Sequence, residues 1–398
     1  MTTSKRLFGN EEKYVLEVLA TDFRSSKGSI MTRRLEDLFC QVYGCDYSLS
    51  FTNGTATMHA LLEAQGIGPG DEVIVPPLTM SATTFAVLQA NATPVFADVE
   101  PDTFQISAAS IAERITDKTK AIITVALYGL SPDMDPIMDL ARKHDLFVLE
   151  DNAECFLGKY KGRMVGLLGH AASFSFQSSK HLTSGEGGMV ITNDGELADR
   201  TRKVQSLGYA GVGAKKGKIT KDDIQEPTYQ RHVTMGWNYR MPELCAAVAL
   251  AQVENIEPLV QARIDAAKKL DAAVATCDWL VPQLTPADCV NSYWTYVVQL
   301  RHPEHSWNTV RDAFKARGGH GIYGAWQLTY LEPMFRDMNL LGRERFISEE
   351  NRAKYKPGLC PVAEDLQPRL MQFKTNYWDP SEADRQAEIL VETIASLS

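Results

Sequence analysis

Short apolar runs alternate along the first half of the chain with longer stretches whose apolar residues recur every three or four positions. Tyr47-Ser-Leu-Ser-Phe51 alternates as a strand does, and the apolar runs at 73–75, 95–97, 121–127 and 146–149 predict further strands. The stretch with Met58, Leu61 and Leu62 on one face, and those at 83–92, 108–115 and 134–144, predict the helices between them. Strands that are apolar throughout are buried on both faces, so the alternation predicts a parallel sheet covered by helices on each side.

Two amphipathic helices precede the first strand, 10–22 with Tyr14, Val15, Val18 and Leu19, and 29–43 with Leu35, Leu38 and Phe39. A polar loop lies between them. Tyr160-Lys-Gly-Arg163 reads as a hairpin turn, 173–194 as strand, glycine turn and strand, and 195–207 as a helix. Residues 208–235 are rich in glycine and lysine and have no period; they suit a functional loop or a solvated insertion equally. A long helical pattern over 242–275 connects to a smaller unit with one good strand at 293–300 and helices at 307–317 and 380–396. The expected domains are therefore 1–275 and 276–398.

At 398 residues the chain has ample length for a large core. Its 41 basic and 50 acidic residues leave a net charge of −9, which argues against nucleic acid as the main partner. No apolar run approaches the ~20 residues of a membrane span, and the first residues lack the apolar core of a signal peptide, so a cytoplasmic protein is expected. Seven scattered cysteines, none spaced Cys-x-x-Cys, argue for reduced thiols rather than a disulfide scaffold or zinc site, and no metal is expected.

In a parallel sheet of this kind ligands bind off the carboxyl ends of the strands. There the sequence places Asn53-Gly54-Thr55 at a strand-to-helix junction, Asp151 at a strand end, and Ser175 and Lys180 after a later strand. A helix N-terminus offers free N–H groups to an anion. A lysine in a polar setting can attack a carbonyl, and a carboxylate beside a ring nitrogen keeps that nitrogen protonated. Together these fit pyridoxal 5′-phosphate. Taken singly, Asn53-Gly54 suits a plain turn and Asp151 a helix cap.

The sequence resembles the DegT/DnrJ/StrS sugar aminotransferases, within the fold-type-I, aspartate-aminotransferase-like pyridoxal phosphate enzymes. The resemblance runs through Asn53-Gly-Thr-Ala56, Ile74-Val-Pro-Pro-Leu-Thr79, Ala92-Thr-Pro-Val-Phe-Ala-Asp98, Leu127-Tyr-Gly129, Glu150-Asp-Asn-Ala153, Tyr160-Lys-Gly-Arg163, Ser173–Gly188 and Gly236-Trp-Asn-Tyr-Arg-Met-Pro-Glu243. It implies an α/β fold with a mostly parallel seven-stranded sheet and a smaller C-terminal α/β domain. Lys180 then matches the lysine that bonds to the cofactor, and Asp151 the acid at the pyridine nitrogen. Gly54, Thr55 and Ser175 match the phosphate site, and Asn238 an asparagine that reaches the cofactor of a partner subunit, which implies a homodimer with shared sites. Glu186 matches a position near substrate, and Lys27, Arg33 and Arg240 are candidates for binding a donor carboxylate or substrate phosphate.

Two positions depart from the family pattern. Met80 stands where an aromatic ring often stacks on the cofactor, and a thioether can pack there instead. Glu154 stands where a glutamine or histidine usually donates near the cofactor's 3′ oxygen, which a carboxylate cannot do unless protonated. A histidine in place of Lys180 would have indicated the deoxygenating dehydratases. The implied reaction is transfer of an amino group from L-glutamate or L-glutamine to a keto sugar, with a keto-cyclitol as alternative acceptor. A non-transaminating lyase and a catalytically silent cofactor-binding regulator are the more distant alternatives.

Overall fold

The computed structural model describes residues 6–21, 30–217, 219 and 224–397. Seven strands form the main sheet: β1 (Tyr47–Phe51), β2 (Glu72–Val75), β3 (Thr93–Phe96), β4 (Thr119–Val125), β5 (Phe147–Asp151), β8 (Ala171–Ser175) and β9 (Gly188–Thr192). A small hairpin, β6 (Lys159–Tyr160) with β7 (Arg163–Met164), stands apart at the turn foreseen there. The spatial order is β1-β9-β8-β5-β4-β2-β3. All neighbouring pairs are parallel except those of β9, which runs antiparallel to both β8 and β1. The sheet is thus mostly parallel, and the order reverses on each side of the central strands.

Each strand carries apolar residues on both faces, and Val73, Ile74, Val75, Ile122, Ile123, Val148 and Leu149 are fully enclosed. Helices Gly54–Ala64, Ala82–Gln89 and Gly195–Gln205 belong with the core cluster on one side; Ala108–Arg114 and Met134–His144 pack with Ile74, Ile122 and Val148 on the other. The two N-terminal helices, Asn10–Leu19 and Ile30–Tyr43, pack on Glu243–Val253. There Gln252 Nε2 donates to Glu11 Oε1 at 2.6 Å and Tyr14 Oη to Glu254 Oε1 at 2.7 Å.

The long helical pattern at 242–275 is two helices, Glu243–Val253 and Ile256–Val274, separated at Glu254 and Asn255. Pro258 explains the break. A proline has no N–H to give a continuing helix, but it is tolerated in a first turn, where that donor would be unpaired anyway. The second helix packs against the C-terminal helix Pro380–Leu397, and both cover a four-stranded antiparallel sheet. Its strands are β10 (Leu280–Pro282), β11 (Thr295–Leu300), β12 (Tyr323–Gly324) and β13 (Leu370–Lys374), in the order β10-β11-β13-β12. Only β11 was legible in the sequence, because the others are short or lack a sustained alternation.

Candidate active site

The carboxyl ends of β1, β2, β4, β5 and β8 open on one edge of the sheet, and the candidate residues gather there. At the end of β1, Asn53 adopts an extended backbone and its side chain accepts from the Ala56 N–H at 2.8 Å, which starts the helix Gly54–Ala64. The Gly54 and Thr55 N–H groups ahead of that cap carry no hydrogen bond among the described residues. This helix start is pressed onto β8: a Cβ built on Gly54 would lie 3.0 Å from the Ser175 Cβ. Thr57 Oγ1 and Ser173 Oγ meet at 2.5 Å and tie the two elements together. Ser175 Oγ accepts from the Gln177 N–H at 3.3 Å, which leaves its own proton to donate. Two N–H groups and a hydroxyl at a helix N-terminus make an anion site.

Asp151 ends β5 and is buried. Its Oδ2 accepts from Thr83 Oγ1 at 2.8 Å and its Oδ1 from the Ala153 N–H at 3.2 Å. The chain turns after Asp151 and starts no helix, so the helix-cap alternative does not hold. Burial pushes its carboxyl up from the ordinary carboxylate value, against the pull of Thr83, Ala153 and Lys180. A buried carboxylate so placed is stabilised by a cationic N–H beside it.

Lys180 lies in the connection between β8 and β9, where Gly185, at φ 83°, turns the chain back. Its Nζ donates to Glu154 Oε1 at 3.2 Å and lies 4.3 Å from the centroid of the Trp294 ring, within cation–π range. Glu154 is buried, and its Oε2 accepts from the Tyr128 N–H at 3.1 Å. Burial and the neighbouring Asp151 push the Glu154 carboxyl up, while Lys180 and the Tyr128 N–H hold it down. Tyr128 has a left-handed backbone, φ 64° and ψ 6°, inside Leu127-Tyr-Gly129. A bulky residue adopts that conformation only where its surroundings demand it.

Gly54, Thr55, Asp151, Glu154, Ser175 and Lys180 thus share one strand-end edge. Met80 stands just ahead of the helix that carries Thr83 and is 49% exposed. Asn238 and Glu186 are exposed. Arg240 pairs through its backbone with Phe51, beside the anion site, and its Nη1 is enclosed without a hydrogen-bond partner. Arg33 is on the outer face of its helix near Asp37, and Lys27 lies outside the described residues. The sequence pattern assigns no role to Thr83, Tyr128 or Trp294, although Tyr128 lies in the Leu127-Tyr-Gly129 stretch that carries the family resemblance and Trp294 in an aromatic strand start.

The donor set fits pyridoxal phosphate. The anion site would suit the phosphate, the buried Asp151 would suit a ring N–H, and Lys180 Nζ offers an amine to a carbonyl. Comparison with known proteins agrees. The profile of the DegT/DnrJ/EryC1/StrS aminotransferase family matches residues 6–373. The GDP-perosamine synthase of Escherichia coli O157:H7 is 37% identical over 302 residues, 75% of this chain and 77% of the relative. The L-glutamine:2-deoxy-scyllo-inosose aminotransferase of Streptomyces lividus is 33% identical over 344 residues, 85% of this chain and 80% of the relative. The crystal structure of an aminotransferase from Psychrobacter cryohalolentis superposes with a TM-score of 0.84 at 30% identity, covering 98% of this chain and 97% of that one. The chain therefore belongs to the DegT/DnrJ/EryC1/StrS aminotransferase family and is a pyridoxal phosphate-dependent transaminase.

Proposed function

We propose that this transaminase moves an amino group from L-glutamate or L-glutamine to a nucleotide-linked keto sugar. The observation that carries the reading is the meeting of Lys180 Nζ with Glu154 at 3.2 Å on the strand-end edge that holds Asp151 and the Gly54–Ser175 anion site. The similarity to GDP-perosamine synthases, including one from Caulobacter vibrioides at 42% identity over 259 residues, supports the acceptor class. Bound there, the cofactor supplies an electron sink for the carbon that exchanges its amine. Lys180 would hold the cofactor through its Nζ, and that amine would also take up and return the substrate proton. Asp151 would hold the ring nitrogen, Gly54, Thr55 and Ser175 would hold the phosphate, and Met80 would pack beside the ring.

Asn238, exposed on its own subunit, fits a role toward the cofactor of a second copy, so the working enzyme is a homodimer with shared sites. Arg240 Nη1, enclosed without a partner near the phosphate site, suits an anionic group of cofactor or substrate. Glu186 and Lys27 stand as further substrate candidates. Residues 1–275 form the cofactor domain, and 276–398 lend Trp294 to it. Among the described residues no helix is long and apolar enough to cross a membrane, and we place the reaction in the cytoplasm.

The scyllo-inosose aminotransferase similarity favours a keto-cyclitol as the second reading. Mixing the pyridoxamine-loaded enzyme with either acceptor separates the two. A GDP-linked keto sugar should restore the pyridoxal absorbance in one turnover. Restoration by scyllo-inosose alone would remove the nucleotide-sugar reading.

A further inference from the structure

Arg263 lies within the helix Ile256–Val274, on the face where Leu259, Val260, Ala266, Ala267 and Leu270 enter the core. Its side chain is 1% exposed, yet the groups it bonds are neutral. Nη1 donates to the Trp294 carbonyl at 2.6 Å and to Thr375 Oγ1 at 3.3 Å; Nη2 donates to the carbonyls of Ser179 at 2.8 Å and Lys180 at 2.9 Å. Buried charges are normally paired with an opposite charge, because desolvation costs several kcal/mol otherwise. Here the guanidinium spans two backbones instead, that of the candidate lysine and that of the tryptophan whose ring faces its amine.

Other donors converge on the same short segment. Arg6 Nη1 donates to the Ser178 carbonyl at 2.7 Å and Nη2 to that of Lys180 at 2.6 Å, while Trp294 Nε1 donates to the Ser179 carbonyl at 3.0 Å. Three successive carbonyls, 178 to 180, are held from the N-terminal segment, the interdomain helix and the small domain.

We propose that Arg263 is a positioning residue for amino transfer, clamping the backbone of Lys180 to that of Trp294. The inference rests on Lys180 being the reacting amine. The charged and titratable groups facing Lys180 are Glu154, Asp151, His181, Arg6 and Arg263 itself. His181 is held neutral, well below the ordinary histidine value, by burial and then by Arg263. Loosening the clamp misplaces Nζ, and a misplacement of ~1 Å can cost about a hundredfold in rate.

The test uses Arg263→Met and Arg263→Lys holoenzymes, reading the rate of the donor half-reaction at saturation and the donor concentration that half-saturates it. In Arg263→Met the saturated rate should fall about 10- to 100-fold, with half-saturation within about twofold of the parent. Arg263→Lys keeps a donor but not the fork, so it should restore only part of the rate. A saturated rate within twofold of the parent in Arg263→Met, or a loss carried by half-saturation alone, would overturn the clamp. If that variant does not fold, Arg263→Lys decides: a parental rate overturns the proposal, and a rate loss at unchanged half-saturation supports it. Borohydride reduction and peptide mapping check the premise separately, since cofactor fixed to a residue other than Lys180 overturns the lysine assignment and the clamp with it.

Discussion

At the residue scale the site is defined by a lysine and a carboxylate that the family pattern does not lead one to expect together. Glu154 accepts from both Lys180 Nζ and the Tyr128 N–H, so in this state it acts only as an acceptor. Its pKa is raised above the ordinary 4.5 by burial, and burial raises those of Asp151 and Glu150 in the same way. A raised acid binds more protons folded than unfolded, so its stabilising effect is complete below the ordinary value and is lost as pH rises through the raised one. Glu154's own contribution to the stability of the cofactor-free protein should therefore fall as pH rises from 4.5, and the difference between parent and Glu154→Gln in denaturant melts should follow that fall. A slope equal to the parent's would mean that Glu154 is not part of it. Lys180→Ala should lower turnover at least about a thousandfold, as removal of a nucleophile does elsewhere, with an unchanged far-ultraviolet circular dichroism spectrum.

At the element scale the phosphate site depends on how closely three strand ends approach. Gly188 opens β9 opposite both Phe51 and Ser175. A Cβ there would lie 2.7 Å from the Asn53 carbonyl carbon and oxygen and 2.9 Å from the Gly54 nitrogen. Backbone cannot yield as a side-chain tip can, so Gly188→Ala should displace the helix start, weaken cofactor retention about tenfold or more, and cost ~1–3 kcal/mol in a chemical melt. Unaltered cofactor affinity in that variant would show that the anion site lies elsewhere. The Asn53 junction and Asp151 could be read from the sequence because a turn residue follows an apolar run and an acid ends one. The clamp on Lys180 could not, because its acceptors are carbonyls, which every residue has. Arg263 still leaves a trace: it interrupts an apolar helical face at the spacing of Leu259, Val260, Ala266 and Leu270.

At the scale of the whole molecule the large sheet was legible because buried parallel strands write unbroken apolar runs, whereas the small sheet depends on short strands such as Leu280–Pro282 and Tyr323–Gly324 that carry no period. The exposed stretch before Asn238, with Val233 56% and Met235 71% exposed, presents apolar surface close to a residue assigned to a second subunit's site. Asn238→Ala should shorten cofactor retention in dialysis while the mass by light scattering stays that of the parent; unchanged retention would remove its role. Lys180, Glu154, Asp151 and the Gly54–Ser175 anion site are proposed to form one site for amino transfer. Stopped-flow absorbance of the holoenzyme mixed with L-glutamate or L-glutamine, without acceptor, tests this most directly. Stoichiometric conversion of the bound pyridoxal form to the pyridoxamine form is expected in the parent and none in Lys180→Ala. No conversion of the parent with any amino donor, or equal conversion in the variant, would contradict it.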